Sequence, residues 1–359
     1  MLINRVYHTW FERIRQLRPK ERVTRLRNFA WIVAGVLASR SVHLSRIAEK
    51  IPGGAKTVSK TSRMRRFLKN GAIQVREWYE PVARDLLQHV VAQGLGVRLL
   101  TDGTKIGFGH QLLMVSLAYR RRAIPIAWTW VSSARGHSSA TKQRALLAYI
   151  HGLLPAGAKV TIAGDSEFCA VPVLKQLEQW DWGYVMRQKG NIRVQLSDQH
   201  VWRRFVSLAQ KGARPQWLPD AQLTRIHGYT VHLVAWWKAG EKEPWLLVTN
   251  LPALRDALRT YKRRMWIEEM FGDFKKHGFD LESSHLRHFL RLSRLTLIVA
   301  FLYLWLVAFG SHVIKRGLRH LVDRADRMDF SVFRIGLSMV ERLLANDQSL
   351  VFTLVPYFY

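Results

Sequence analysis

The chain has 359 residues, 48% of them apolar and 23% charged, a globular composition that excludes a disordered protein. Its 56 Lys and Arg against 26 Asp and Glu leave a formal charge of +30. Such a chain repels itself unless a polyanion neutralises it, which points to nucleic acid, with an anionic membrane surface as the alternative. The single cysteine, Cys169, excludes an internal disulfide and a cysteine-based zinc cluster, and fits a reducing compartment.

Residues 1–95 read as helical and basic. The first residues mix charges with aromatics and hold no apolar run, so they are not expected to be a signal peptide. Segments 23–38 and 73–93 carry apolar residues at helical spacing. Segment 43–70 holds Leu44, Ile47, Ala48 and Ile51, then Pro52-Gly53-Gly54, then a basic run. That order suits a helix-turn-helix on DNA, or equally a basic, solvated helical bundle.

At about Val97 the texture changes. Segment 97–102 is a short apolar run ending in Asp102. Segments 111–119 and 123–131 are strand-like and joined by Arg120-Arg121-Arg122, which predicts a hairpin. Segment 142–154 reads as helix, 159–164 as a buried strand followed by Asp165, 171–180 as helix and 182–187 as strand. Three strands followed by helix-separated strands is the order of an RNase H-like mixed sheet. Segment 189–252 breaks the pattern with short alternating runs at 192–196, 229–237 and 245–249, and reads as a β-rich insertion. Helical texture returns from Arg255 to about Leu344. Within it, segment 295–310 is uninterruptedly apolar but spans only roughly 24 Å as a helix, short of a bilayer core. A buried helix is expected there, with a transmembrane one as the alternative.

The chemistry is expected from carboxylates. In an RNase H-like sheet the strands before Asp102 and Asp165 are parallel neighbours, so both acids fall at one sheet edge. Two carboxylates that close repel each other and favour a hard divalent cation such as Mg²⁺. Taken singly, a strand-ending aspartate is more often a turn or cap residue. Segment 261–276, YKRRMWIEEMFGDFKK, reads as one helix. With Tyr261 at zero, Arg264, Glu268 and Lys275 lie at about 300°, 340° and 320°, one polar stripe roughly 60° wide. Trp266, Ile267, Met270 and Phe274 face the other way. Glu269 is about 100° from Glu268, so the stripe selects Glu268. The plainer alternative is an amphipathic helix with ordinary Arg–Glu pairs.

Tyr261, Arg264, Glu268 and Lys275 match the Y-x2-R-x3-E-x6-K signature of a family of bacterial insertion-sequence transposases, cut-and-paste enzymes of the DDE class. TDGT around Asp102 resembles that family's first-aspartate motif. GDSEF around Asp165 is similar to its G-D-R-x-F pattern, with Ser166 where Arg is common. The resemblance covers roughly residues 97–310. It implies that Asp102, Asp165 and Glu268 bind two Mg²⁺ or Mn²⁺ ions, and that Tyr261, Arg264 and Lys275 contact phosphates near the transposon end. It further implies a hairpin intermediate and a flipped base, with Trp245 in PWLLVTN as the stacking platform.

The expected units are a helical DNA-binding region over 1–95, a catalytic core over 96–188, a β-rich insertion over 189–253, the rest of the core with its glutamate helix over 254–310, and C-terminal helices over 311–359. The expected partners are terminal inverted repeats and target DNA, not membrane, with a homodimer on paired ends for which 322–346 is a candidate interface. A cytoplasmic, nucleoid-associated bacterial protein is expected. A nuclease or resolvase without strand transfer, or a domesticated DNA-binding protein, are the alternatives. His110, His137 and His151 show no zinc spacing. Gly107-Phe108-Gly109 lacks the context of a phosphate loop.

Overall fold

The structure, a computed structural model, describes residues 2–106, 109–132, 138–324 and 326–358. His137, Gly107 and Phe108 lie outside the described residues.

Five helices open the chain: α1 (Leu2–Leu17), α2 (Val23–Ser39), α3 (Leu44–Lys50), α4 (Thr57–Lys69) and α5 (Val75–Ala92). In α1 the buried residues Val6, Trp10 and Ile14 recur every fourth position, the spacing that puts one stripe of a helix against a core. The three-stranded meander follows as β1 (Val97–Ile106), β2 (His110–Tyr119) and β3 (Arg122–Ser132). Then come α6 (Ala140–His151), β4 (Val160–Gly164), α7 (Val171–Gln179) and β5 (Gly183–Arg187). β1 is longer than its apolar run. It continues past Asp102 because Gly103–Ile106 keep pairing with β2, so Asp102 lies within the strand, not at its end.

The β-rich segment supplies β6 (Arg193–Gln195), β7 (Arg203–Arg204), β8 (Gln216–Leu223), β9 (Tyr229–Trp236) and β10 (Trp245–Thr249). These strands extend the same sheet, whose order is β3-β2-β1-β4-β5-β10-β9-β8-β6-β7. β1, β4 and β5 run parallel, and β10 joins antiparallel to β5.

Segment 261–276 is not one helix. α8 (Leu254–Lys262) and α9 (Met265–Phe274) meet at Arg263-Arg264. There the bonds Arg264 N to Tyr261 O, Trp266 N to Arg263 O and Ile267 N to Arg264 O all span three residues, tighter than the α-helical four. Lys275 lies just beyond α9, with φ −93° and ψ −125°. The angular reading from a continuous helix therefore holds only within α9.

The apolar stretch is the centre of α10 (Phe289–Lys315), buried along nearly its whole length. It packs on α2, α4, α5, β3 and α11 (Val332–Ala345). It is long and apolar enough to cross a membrane, but 89% of that stretch is buried within the molecule. The described residues of segment 322–331 are not helical; Ala325 lies outside them. The helix expected over 322–346 is thus the shorter α11, packed on α10 with Val332 and Gly336 close to Gly310 and Leu306 and with Phe333 stacked on Tyr303.

Candidate active site

The β1–β4 register brings the first two acids together. Thr101 pairs with Gly164, so the next residues, Asp102 within β1 and Asp165 just past β4, stand side by side. Gly164 is needed for that approach. A Cβ there would sit 2.8 Å from both the Met186 Sδ and the Thr101 Cγ2, closer than carbon contacts allow. Asp165 then opens a 3₁₀ turn, Ser166–Phe168.

α9 delivers Glu268 to the same place. Arg264 stands between the acids: its Nη1 donates to Asp102 Oδ2 at 3.2 Å, and its Nη2 donates to Glu268 Oε1. The Arg264 side chain is buried, Asp102 nearly so, and Glu268 is 43% exposed. Together they line a cleft of about 550 Å³ with Gly103, Asp165, Arg187 and Lys275.

Burial pushes the Asp102 carboxyl up to about 7. Arg264 and the Gly103 N–H oppose the rise, whereas Asp165 and Glu268 add to it. Burial also works against the charge on Arg264, but Tyr261, Asp102, Glu268 and Asp165 more than restore it. Burial raises the Tyr261 hydroxyl, against the pull of Arg264 and Arg187. The cluster thus holds more negative charge than one guanidinium compensates.

The remaining sequence-selected residues are placed less alike. Tyr261 is buried in a small second core with Val185, Val234, Leu247 and Ala257, so its ring packs and does not face solvent. Trp245 is half-buried and stands edge-on to Tyr261 at 4.9 Å and to Trp236 at 5.5 Å. Lys275 sits at the cleft mouth, paired with Glu282 at 3.1 Å and donating to the Lys105 carbonyl at 3.0 Å. Glu269 turns away and pairs with Arg122 at 3.2 Å.

Two features escaped sequence reasoning. Arg187, the last residue of β5, reaches the cleft and pairs with Glu243 at 2.7 Å. The Gly164–Met186 pairing places it there, and a parallel β4–β5 alignment is the signal that locates it. Glu167 ties the Asp165 turn down: it accepts from Gln111 Nε2 at 2.9 Å and from the Ser138 N–H at 2.5 Å. That acid was in view within GDSEF, but its partners lie far off in sequence.

The site also answers whether divalent ions suit it. Its donors are hard carboxylate oxygens, and buried Asp102 lacks full compensation, as expected where cations complete a site. Among the described residues no three acids, histidines or cysteines are gathered closely enough to hold an ion as they stand, since Arg264 lies between Asp102 and Glu268.

A family model described as a transposase DDE domain matches residues 127–305. That span contains Asp165, Trp245, Tyr261, Arg264, Glu268 and Lys275, while Asp102 precedes it. No curated protein matches the sequence. Among solved structures, a cryo-EM structure of a piggyBac transposase synaptic complex with hairpin DNA is similar at 11% identity and TM-score 0.44, over 100% of this chain and 83% of that one. So distant a likeness carries no argument; the domain match does. DDE transposases use divalent metal ions, and this chain belongs to them, as an enzyme that cuts DNA and transfers strands.

Proposed function

We propose that Asp102, Asp165 and Glu268 are the metal-holding acids of this transposase, with two Mg²⁺ or Mn²⁺ ions bound in the cleft beside Arg264. The observation that carries this is the Thr101–Gly164 register, which sets two acids side by side, with Glu268 reaching them across Arg264. Divalent ions held there supply activation of the attacking oxygen and stabilisation of the leaving oxygen. Arg264 holds Asp102 and Glu268 in mutual reach. Its Nε–H is buried and has no hydrogen-bond partner among the described residues. Lys275 and Arg187 give the cleft two further cations for the DNA backbone. Tyr261 braces Trp245 from behind. Trp245, half-exposed, is assigned to stacking on a base extruded at the transposon end, which accompanies a hairpin step.

The DNA partners are then the element's terminal inverted repeats and a target duplex, engaged by a homodimer on paired ends in the bacterial cytoplasm at the nucleoid. Residues 1–95 serve DNA binding, 96–188 and 254–310 the acid site, 189–253 the stacking platform, and 311–359 support. The test is a duplex carrying the element's ends, incubated with target DNA and Mg²⁺. Nicked ends and a joined target strand are expected, and both should vanish in Asp102→Ala and Glu268→Ala. Wild-type levels of joined product in either variant would overturn the assignment.

A further inference from the structure

The helices before the sheet hold a second charged site that the acid cleft does not explain. α4 reads TVSKTSRMRRFLK and has no acid. Its buried residues are Thr61, Met64, Phe67 and Leu68, which cluster on one side of a helical projection. The opposite side, an arc of roughly 120°, presents Val58, Ser59, Ser62, Arg65, Arg66 and Lys69. Val58 is 74% exposed, and no fold contact accounts for a β-branched apolar side chain there.

α4 is rigidly held from behind. Buried Arg294 on α10 donates to the Leu68 carbonyl at 2.9 Å and to the Ile73 carbonyl at 3.0 Å. Lys60 donates to the Ile51 carbonyl at 2.6 Å, fixing the α3–α4 turn. Beside the helix lies a cleft of about 280 Å³ lined by Arg22, Thr24, Arg25, Asn28, Arg63 and Arg66. Arg25 is held by Glu21 at 2.6 Å. The amino end of α2 opens there with no side chain capping it and no acid in its first turn.

We propose that α4 reads base sequence in duplex DNA. Val58, Ser59 and Ser62 enter a major groove, while Arg22, Arg63 and Arg66 grip the adjoining phosphates. Small hydroxyls bond either bases or backbone, and an apolar side chain senses the thymine methyl. A helix whose amino-terminal half reads bases while neighbouring cations hold the backbone is the helix-turn-helix arrangement. A lipid surface would favour a continuous apolar stripe, whereas this face carries one isolated valine among hydroxyls and cations. The proposal rests on the transposase reading only in making the DNA a transposon end.

The full chain in EDTA, so that no cleavage intervenes, is offered duplexes with 20 randomised base pairs. Wild type should enrich a motif. A triple variant V58A/S59A/S62A should melt like wild type and bind an unrelated duplex equally, but bind the enriched duplex about tenfold more weakly or worse. The pair R63Q/R66Q should weaken binding to both duplexes alike and flatten the salt dependence by about two in log–log slope. Failure of wild type to enrich any motif, or wild-type affinity of the triple variant for the enriched duplex, overturns the proposal. Metal-dependent nicking, assayed separately on wild type, tests the acid site, so the two readings fail independently.

Discussion

At the scale of single residues the acids divide by their surroundings. Glu268 and Glu269 are neighbours in sequence, but one meets Arg264 and the other Arg122. Glu268→Gln should cut nicking at least about a hundredfold, and Glu269→Gln should leave nicking within a fewfold of wild type, both read on a labelled transposon-end duplex. Arg264→Ala strands Asp102 without its cation, and a loss on the order of 2–3 kcal/mol is expected in urea melts. Lys275→Ala removes only a partly exposed pair and should cost under about 1 kcal/mol. Asp273, beneath Arg122, has its carboxyl pushed up to about 6 by burial, against the pull of Arg122. The folded chain therefore keeps that proton to higher pH than the unfolded chain, whose value is near 3.8. Stability should fall as pH rises from about 4 to about 6 and then level off. Asp273→Asn should lack that portion of the slope, which paired denaturant titrations across the window will show. Sequence reading preferred Glu268 to Glu269 as the metal-holding acid from one polar stripe, and in the structure Glu268 is the one that pairs with Arg264 while Glu269 pairs with Arg122. The burial of Arg264 between two acids was not legible, since charge patterns carry no information on burial.

At the scale of elements the two longest surprises have steric causes. β8 was not visible in sequence because Pro219-Asp220 interrupts its alternation. The register shifts between Leu218 and Ala221, and Asp220 takes φ 51°, a bulge that proline tolerates and a strand pattern does not advertise. The docking of α11 on α10 was equally hidden, because it depends on two glycines far apart in sequence. A Cβ at Gly310 would lie 2.0 Å from the Val332 carbonyl oxygen, and one at Gly336 would lie 1.9 Å from that of Leu306. Both obstacles are backbone and cannot rotate away. Gly336→Ala should therefore destabilise by about 1–3 kcal/mol or more by forcing the helices apart, measurable as earlier protease cleavage near α11. By contrast the order of β1 to β5 and their helices was legible, since each strand is apolar and each helix periodic. The pairing of β10 with β5 was not, because nothing local in a strand names its partner.

For the whole molecule the charge was the first informative quantity, and the domain match agrees with the partner it suggested. Binding to duplex DNA should weaken steeply between about 50 and 200 mM salt, as many phosphates must be neutralised. EDTA should abolish nicking while leaving DNA binding in a gel shift, because cations on the chain carry affinity and divalent ions carry chemistry. The unbroken sheet bears on where a complex can yield. Trp245 begins β10, two places from β4, which runs into Asp165, a lateral step of about 10 Å at ordinary strand spacing. Both belong to one sheet, so the proposed platform and the proposed metal-holding acids are expected to behave as a fixed gauge and not as a jaw. The compliance must then lie in the nucleic acid, and ends with already mispaired or opened bases should be worked faster than intact ones.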